Sequence, residues 1–425
     1  MKFFFPDSQD FVDPSFDLVT EERSPTRVRQ RDDLYPHEIF ATPPYDGLLV
    51  SMAIVSGYGV GTGKYSIAQR QRFLRCGVRE FFRLQASPRL ETFGDCGAFS
   101  YWKETHPPFT AAEVFEFYES AGFDYGLSVD HVIPVFRPDF DSVIPLPDLG
   151  SEVEKWKRRQ EITIEAAGEF LRLCHSDRPR FQPVGVAQGW SPRSIAHSVS
   201  ELQKMGYRTV GIGGLVPLKT PEILDVLKAV SKVRHKDTKL HLLGVTRLDV
   251  IRDFARLGAT SFDSTAPLMR AFKDKDKNYY LGDRTFPAIR VPQVDGNPKL
   301  KRRVLAGEVR SDSARRLEQR VLALLNDFDR DAAPVTDTLA AVLEYEALFD
   351  PNSDREAQYR QVLMERPWKR CDCEICEALG IHVILFRGAE RNRRRGFHNL
   401  HQFYRSLADA VAPLTPKTVR MRRAK

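Results

Sequence analysis

The sequence predicts an α/β protein: a (β/α)8 barrel with a helical insertion and, towards its C-terminal end, a zinc-binding subdomain. Three observations predict it. Short apolar, β-branched runs alternate with amphipathic stretches through the middle of the 425-residue chain, as parallel βαβ units do. Several of these runs end in a polar or glycine cluster, where a barrel enzyme keeps its reactive groups. Cys371, Cys373 and Cys376 stand close enough for three thiolates to face one point, the arrangement that tetrahedral Zn²⁺ takes.

The elements follow in order. Residues 1–47 are rich in Pro, Asp and Arg and read as a loop-dominated extension. Strands are expected at 48–55, 91–95, 125–130, 184–188, 209–215, 239–245 and 260–263, with helices at 67–84, 111–120, 153–173, 194–205, 221–233 and 248–257. An eighth strand is expected at 288–294, so that the barrel spans 48–298. Residues 299–370 are charged and helical, most clearly at 313–328 and 336–349, and read as an insertion. Residues 371–412 form the zinc-binding subdomain with a closing helix, and 413–425 a basic tail. The chain holds no internal repeat and no low-complexity tract.

The cysteines divide by position. Cys76, Cys96 and Cys174 are scattered and odd in number, which argues against a disulfide framework and for a reducing compartment. No apolar run approaches a membrane span, and the three phenylalanines of the N-terminus are too few for a signal sequence, so a cytoplasmic protein is expected. For the cluster Cys371, Cys373 and Cys376, three histidines compete as fourth ligand: His382, His398 and His401. His398 is favoured because it stands at the entry of an amphipathic helix. A site closed by four protein ligands is structural, and the chemistry must lie elsewhere.

Charge is unevenly spread. Residues 387–425 hold eleven Lys or Arg and two acids, an excess larger than the net +7 of the whole chain. Arg391, Arg393, Arg394 and Arg395 fall between the proposed ligands, in what reads as a zinc-pinned loop, and Arg420, Arg422 and Arg423 lie in the tail. Such a loop displaying arginines is a candidate phosphate-binding surface, and a solvated charge run is its bland alternative. The glycine-rich stretch Gly57 to Lys64 lacks the pattern of a phosphate loop, which needs glycine at Tyr58 and Ser or Thr at Tyr65. It reads as a flexible loop over the pocket.

The strand ends carry the candidate chemistry. They present Asp95 to Phe99, Asp130 with His131, Gln188, Gly213 and Gly214 with Leu215, Gly244, and Asp263 with Ser264. Three carboxylates then converge on one face of the barrel. Two can serve a glycosidic carbon as nucleophile and as general acid/base, while a third and an amide read the edge of a base.

In this order the motifs resemble those of the tRNA-guanine transglycosylases. Asp95-Cys-Gly-Ala-Phe99 stands where that family has Asp-Ser-Gly-Gly-aromatic, and Val186-Ala-Gln188-Gly where it has Val-Gln-Gly. Gly213-Gly-Leu215, Phe262-Asp263-Ser264 and the Cys-x-Cys-x-x-Cys with a following His-Asn-Leu match directly. The resemblance implies that Asp263 attacks C1′ of the target nucleotide and that Asp95 shuttles the proton of the leaving and entering bases. It further implies that Asp130 and Gln188 bond the guanine edge, that the backbone of Gly213, Gly214 and Leu215 approaches its plane, and that Phe99 stacks on it. Cys371, Cys373, Cys376 and His398 would hold one structural zinc. Cys96, Ala98 and Ser100 depart from the usual motif, and the stretch between Asp263 and Cys371 is longer than in the tRNA enzymes. These departures look like the DNA-modifying DpdA branch, which inserts 7-cyano-7-deazaguanine into DNA beside an ATPase-like helper protein. The expected partners are DNA, with tRNA as the alternative polymer, and a 7-deazaguanine base; a homodimer and a non-catalytic nucleic-acid-binding subunit stay open.

Overall fold

A computed structural model describes residues 1–6, 9–59, 62–141 and 151–412, the side chain of Ser151 excepted. The tail with Arg420, Arg422 and Arg423, and residues 60–61 of the glycine-rich loop, lie outside the described residues. Eight parallel strands close into a barrel in sequence order: β1 Lys2–Pro6, β2 Gly47–Ser51, β3 Glu91–Asp95, β4 Tyr125–Leu127, β5 Gln182–Ala187, β6 Thr209–Ile212, β7 Lys239–Leu242 and β8 Ala259–Asp263. The longer helices between them are α1 Ile67–Phe81, α2 Ala111–Ala121, α3 Ser151–Asp177, α4 Pro192–Met205, α5 Thr220–Val233 and α6 Ile251–Arg256. Among the described residues, no helix is long and apolar enough to cross a membrane.

Two expectations about the barrel are corrected. Its first strand is Lys2–Pro6, which pairs with β2 on one side and closes on β8 through Phe3 opposite Phe262. The barrel thus begins at residue 2 and not at 48, and residues 9–46 are an excursion between its first two strands. Residues 288–294 supply no barrel strand: Ile289–Arg290 instead pairs with Leu385–Phe386 outside the barrel. The reason lies in burial on both faces. Phe3 and Phe5 pack outward against the helices while Phe4 joins Leu49, Phe93, Leu127, Val184 and Val186 inside the barrel. A strand buried on both sides reads as a plain apolar run, and three phenylalanines before a proline are too short a run to stand out.

Beyond β8 the chain forms α7 Ala266–Lys273, a hairpin of β9 Tyr279–Leu281 and β10 Arg284–Phe286, then four helices, α8 Pro298–Leu305, α9 Ser311–Asp329, α10 Val335–Ala347 and α11 Glu356–Glu365. A short helix α12, Glu374–Leu379, precedes α13, Gly388–Val411, which packs on α7 and seats Phe403 against Phe3 and Phe262.

Helix α13 overturns the arginine-loop expectation. It starts at Gly388, so Arg391, Arg393, Arg394 and Arg395 are helical, and His398 sits mid-helix and not at its entry. Arg391 and Arg395 are 1% and 0% exposed. Arg391 pairs with Glu21 and donates to Leu18 O, Arg393 donates to Phe11 O at 2.9 Å, and Arg394 donates to Asp13 O. Arg395 donates to Leu385 O and Val383 O at 2.8 and 3.2 Å and to Ala271 O at 2.7 Å. Carbonyls in irregular segments lack a ladder partner, and a guanidinium, with five donors, satisfies several at once. These arginines hold the 9–46 excursion and the α13 surroundings in place; Arg391 and Arg395 are too buried to meet a phosphate, while Arg393 and Arg394 are half-buried. Arg395→Ala should therefore cost on the order of 3 kcal/mol, the penalty of orphaning buried acceptors of a charged donor, as read by urea denaturation; a loss below ~1 kcal/mol would contradict the anchoring role.

Candidate active site and metal centre

The C-terminal ends of the strands surround a cavity of about 440 Å³ lined by Asp95, Asp130, Gln188, Gly213, Gly214 and Asp263. Parallel strands in a barrel all end on one face, so residues as far apart as Asp95 and Asp263, 168 positions, meet there. Asp263, the last residue of β8, accepts the Gly244 N–H on Oδ1 at 3.0 Å, and the same oxygen lies 3.2 Å from His241 Nε2. Both contacts engage Oδ1 of a carboxylate that lines the cavity.

Asp130 and Gln188 are joined. Gln188 Nε2 donates to Asp130 Oδ2 at 2.7 Å, and the Cys96 thiol donates to Asp130 Oδ1 at 3.3 Å. Tyr101 donates in turn to Cys96 Sγ at 3.1 Å. The Gln188 carbonyl is held by Gln160 and Ser198 at 3.1 and 2.8 Å, so the residue is fixed at both ends. A side chain at Gly213 would drive its Cβ to 2.2 Å from Gln188 Nε2, and glycine is therefore required for that amide to stand where it does. Gly97 takes the left-handed conformation, φ 88°, in the turn after Asp95, and a Cβ there would strike Ser51 Oγ at 2.3 Å.

The carboxylates are perturbed. Asp95 is half-buried at the cavity wall; desolvation first, and then the Asp130 charge, raise its pKa to about 7. Burial raises Asp130 to about 6, with the bonds from Gln188 and Cys96 acting the other way. A carboxyl poised near neutrality in a cavity is suited to passing a proton in both directions. It also costs stability. The folded state holds the Asp95 proton more tightly than the unfolded chain, whose value is near 3.8, so stability is fullest below that pH and is lost as pH rises to about 7. Asp95→Asn, a neutral mimic, should leave the melting temperature unchanged at pH 4 and raise stability at pH 8 by a few kcal/mol at most; equal melting curves at both pH values would contradict this.

Phe99 stands at the rim, 59% exposed. Leu215 is fully buried and does not line the cavity, so of that motif only the two glycines reach it. Ser51, Val216 and Leu243 line it without having been expected, and the Ser51 hydroxyl is buried with no hydrogen-bond partner. His241 was also missed; its only signal was a polar residue at an inward position of an otherwise apolar strand end.

Away from the cavity, Cys371, Cys373, Cys376 and His398 are all buried and bring one ligand atom each within 4.8 Å of the others. His398 Nδ1 lies 3.3 Å from the sulfurs of Cys373 and Cys376 and 3.7 Å from that of Cys371. His398 Nε2 donates to Tyr280 O at 2.7 Å, which fixes the tautomer and turns the Nδ1 lone pair towards the thiols. Tyr279 stacks on the imidazole with ring centroids 4.0 Å apart, and Gln402 Nε2 donates to Cys371 Sγ at 3.2 Å. This donor set fits a closed, tetrahedral zinc site. The competing histidines are excluded: His382 Nδ1 accepts from Arg391 Nε at 3.4 Å, and His401 stacks on Phe40.

Carboxylates gathered at this end of a (β/α)8 barrel are the mark of an enzyme, and a Cys3His group that could hold a metal ion stands apart from them, which leaves the reaction to the side chains of the cavity. No protein-family model matches the chain. A protein of Salmonella montevideo described as a DNA-guanine transglycosylase is 47% identical to it over 411 residues, covering 96% of each chain. The chain belongs to that transglycosylase family.

Proposed function

We propose that this enzyme exchanges guanine in DNA for a 7-deazaguanine, most specifically 7-cyano-7-deazaguanine, through a covalent glycosyl-aspartate. The observation that carries the reading is the pair of unlike carboxylates lining one cavity: Asp263, with Oδ1 held by Gly244 and His241, and Asp95, raised to about 7. Asp263 Oδ2 bonds to C1′ as the C1′–N9 bond breaks, and Asp95 gives its proton to the leaving guanine. The entering base loses a proton to Asp95 and attacks C1′, returning the electron pair to Asp263. Asp130 and Gln188 read the base edge, Gly213 and Gly214 let its plane come close, and Phe99 covers it from the rim. The Cys3His centre holds zinc in a structural role. The polymer follows from the described substrate of the relative.

The pH profile follows from Asp95. Guanine release needs the protonated acid and should slow above pH 7, whereas capture of the entering base needs the carboxylate and should slow below it. Pre-steady-state release and chase measurements separate the two limbs; identical profiles would remove Asp95 from the proton path.

A base paired in a duplex must be extruded at a cost of a few kcal/mol before C1′ is reached. The purified enzyme should therefore place 7-cyano-7-deazaguanine in single-stranded or locally melted DNA more readily than in intact duplex, unless an ATPase-like partner opens it. Nucleoside mass spectrometry checks this. Incorporation into a tRNA transcript with none into any DNA form would overturn the DNA assignment.

A further inference from the structure

Strand β7 places a histidine in the apolar layer directly beneath the cavity. His241 is 0% exposed, stacks on Phe93 at 4.7 Å and meets Phe4 edge-on at 5.9 Å. An imidazole buried in such a layer is costly unless both nitrogens are satisfied, and a leucine would fill the space without that cost. Both nitrogens are satisfied by one neighbouring strand. Nδ1 lies 2.9 Å from Ser261 Oγ, and Nε2 lies 3.2 Å from Asp263 Oδ1. Ser261 and Asp263 are two apart on β8 and so face the same side. The ladder between β7 and β8 skips a residue, passing from Leu240 opposite Ala259 to His241 opposite Ser261. Such a bulge re-aims side chains beside active sites, and here it brings Ser261 into register with the histidine.

We propose that His241 is a positioning residue for Asp263, the end of a chain in which the Ser261 hydroxyl donates to Nδ1 and Nε2–H donates to Oδ1. An ionised carboxylate only accepts, so the hydrogen of this link sits on Nε2. Together with the Gly244 N–H, it fixes the carboxylate rotamer so that Oδ2 is the attacking atom. The same two donors act again when the enzyme–sugar bond breaks. As the entering nitrogen bonds to C1′, the C1′–Oδ2 pair returns to the carboxylate, and the charge it spreads onto Oδ1 is met by donors already in place. No proton is transferred to or from His241 in either half. The proposal rests on Asp263 being the nucleophile.

The test compares His241→Phe, His241→Gln and Ser261→Ala with the wild-type enzyme. It uses a guanine-containing single-stranded oligonucleotide and labelled guanine, reading kcat, KM and the rate of adduct formation. His241→Phe fills the layer but donates nothing, and should lower kcat and adduct formation by about 10²–10³-fold with KM for the base little changed. His241→Gln can donate to Asp263 again and should recover at least about tenfold of that loss, one hydrogen bond's share. Ser261→Ala, which removes a single oxygen, should lower kcat several-fold. Wild-type kcat in His241→Phe, or a glutamine variant no better than the phenylalanine one, would overturn the proposal. If His241→Phe does not fold, an unchanged kcat in Ser261→Ala overturns it. An adduct that survives in Asp263→Asn would instead refute the nucleophile assignment, a separate outcome.

Discussion

Asp263→Asn is expected to lower base exchange by on the order of 10⁴–10⁶-fold, the scale seen when a nucleophile is removed from a preorganised site. In the native cavity Oδ1 accepts from Gly244 N–H at 3.0 Å and faces His241 Nε2 at 3.2 Å. An asparagine keeps those bonds only by turning its carbonyl oxygen to them. Its NH2 group then takes the place of Oδ2 and offers C1′ no usable lone pair. The shape of the cavity is unchanged, so DNA binding should persist. A denaturing gel of enzyme incubated with a guanine-containing oligonucleotide should show a shifted covalent band for the wild type and none for this variant. A band that persists would move the nucleophile elsewhere, with Asp95 the first residue to examine.

Loss of the metal should be as damaging to the fold as loss of Asp263 is to the chemistry. Stoichiometric metal analysis is expected to find one zinc per chain, and Cys373→Ser or strong chelation should unfold the C-terminal region. The cluster ties the α12 segment, α13 through His398, and the β9 strand through Tyr279 and Tyr280. Binding energies for such sites, about 10–16 kcal/mol, are folding energy, comparable with the ~5–15 kcal/mol that holds a whole domain together. The damage should reach the barrel, because α13 seats Phe403 on Phe3 and Phe262 of the closing strands. Limited proteolysis and thermal melting report this. Absence of stoichiometric zinc, or a serine variant with unchanged metal content and melting, would refute it.

Legibility differed from residue to residue. Asp95, Asp130, Gln188 and Asp263 were readable because each stands at the end of an apolar run, and parallel strands closed in a barrel bring all such ends to one face. The cysteine cluster was readable because its ligands are local in sequence. His398 does not stand at a helix entry: the helix starts ten residues before it, and what sets it in the cluster is the Tyr280 carbonyl on Nε2 and the three sulfurs around Nδ1. His241 gave too little signal, since one polar residue in a strand is as readily a satisfied core histidine until its neighbour is known.

By itself, the sequence determined the alternation of strands and helices, the acids and amide at the strand ends, and a thiol spacing that suits a metal ion. All of these rest on neighbours within a few residues or on the periodicity of a single element. Only the tertiary structure decided which strand closes the barrel, with Phe3 meeting Phe262 across the chain. It alone decided that Arg391 and Arg395 turn inward, one to Glu21 and Leu18 and the other to the carbonyls of Val383, Leu385 and Ala271. It also decided that a one-residue bulge sets His241 against Asp263. The physical reason is common to the three. A side chain's identity defines what it can bond, but a guanidinium or an imidazole accepts many partners, and which one it meets is chosen by packing between segments far apart in the chain.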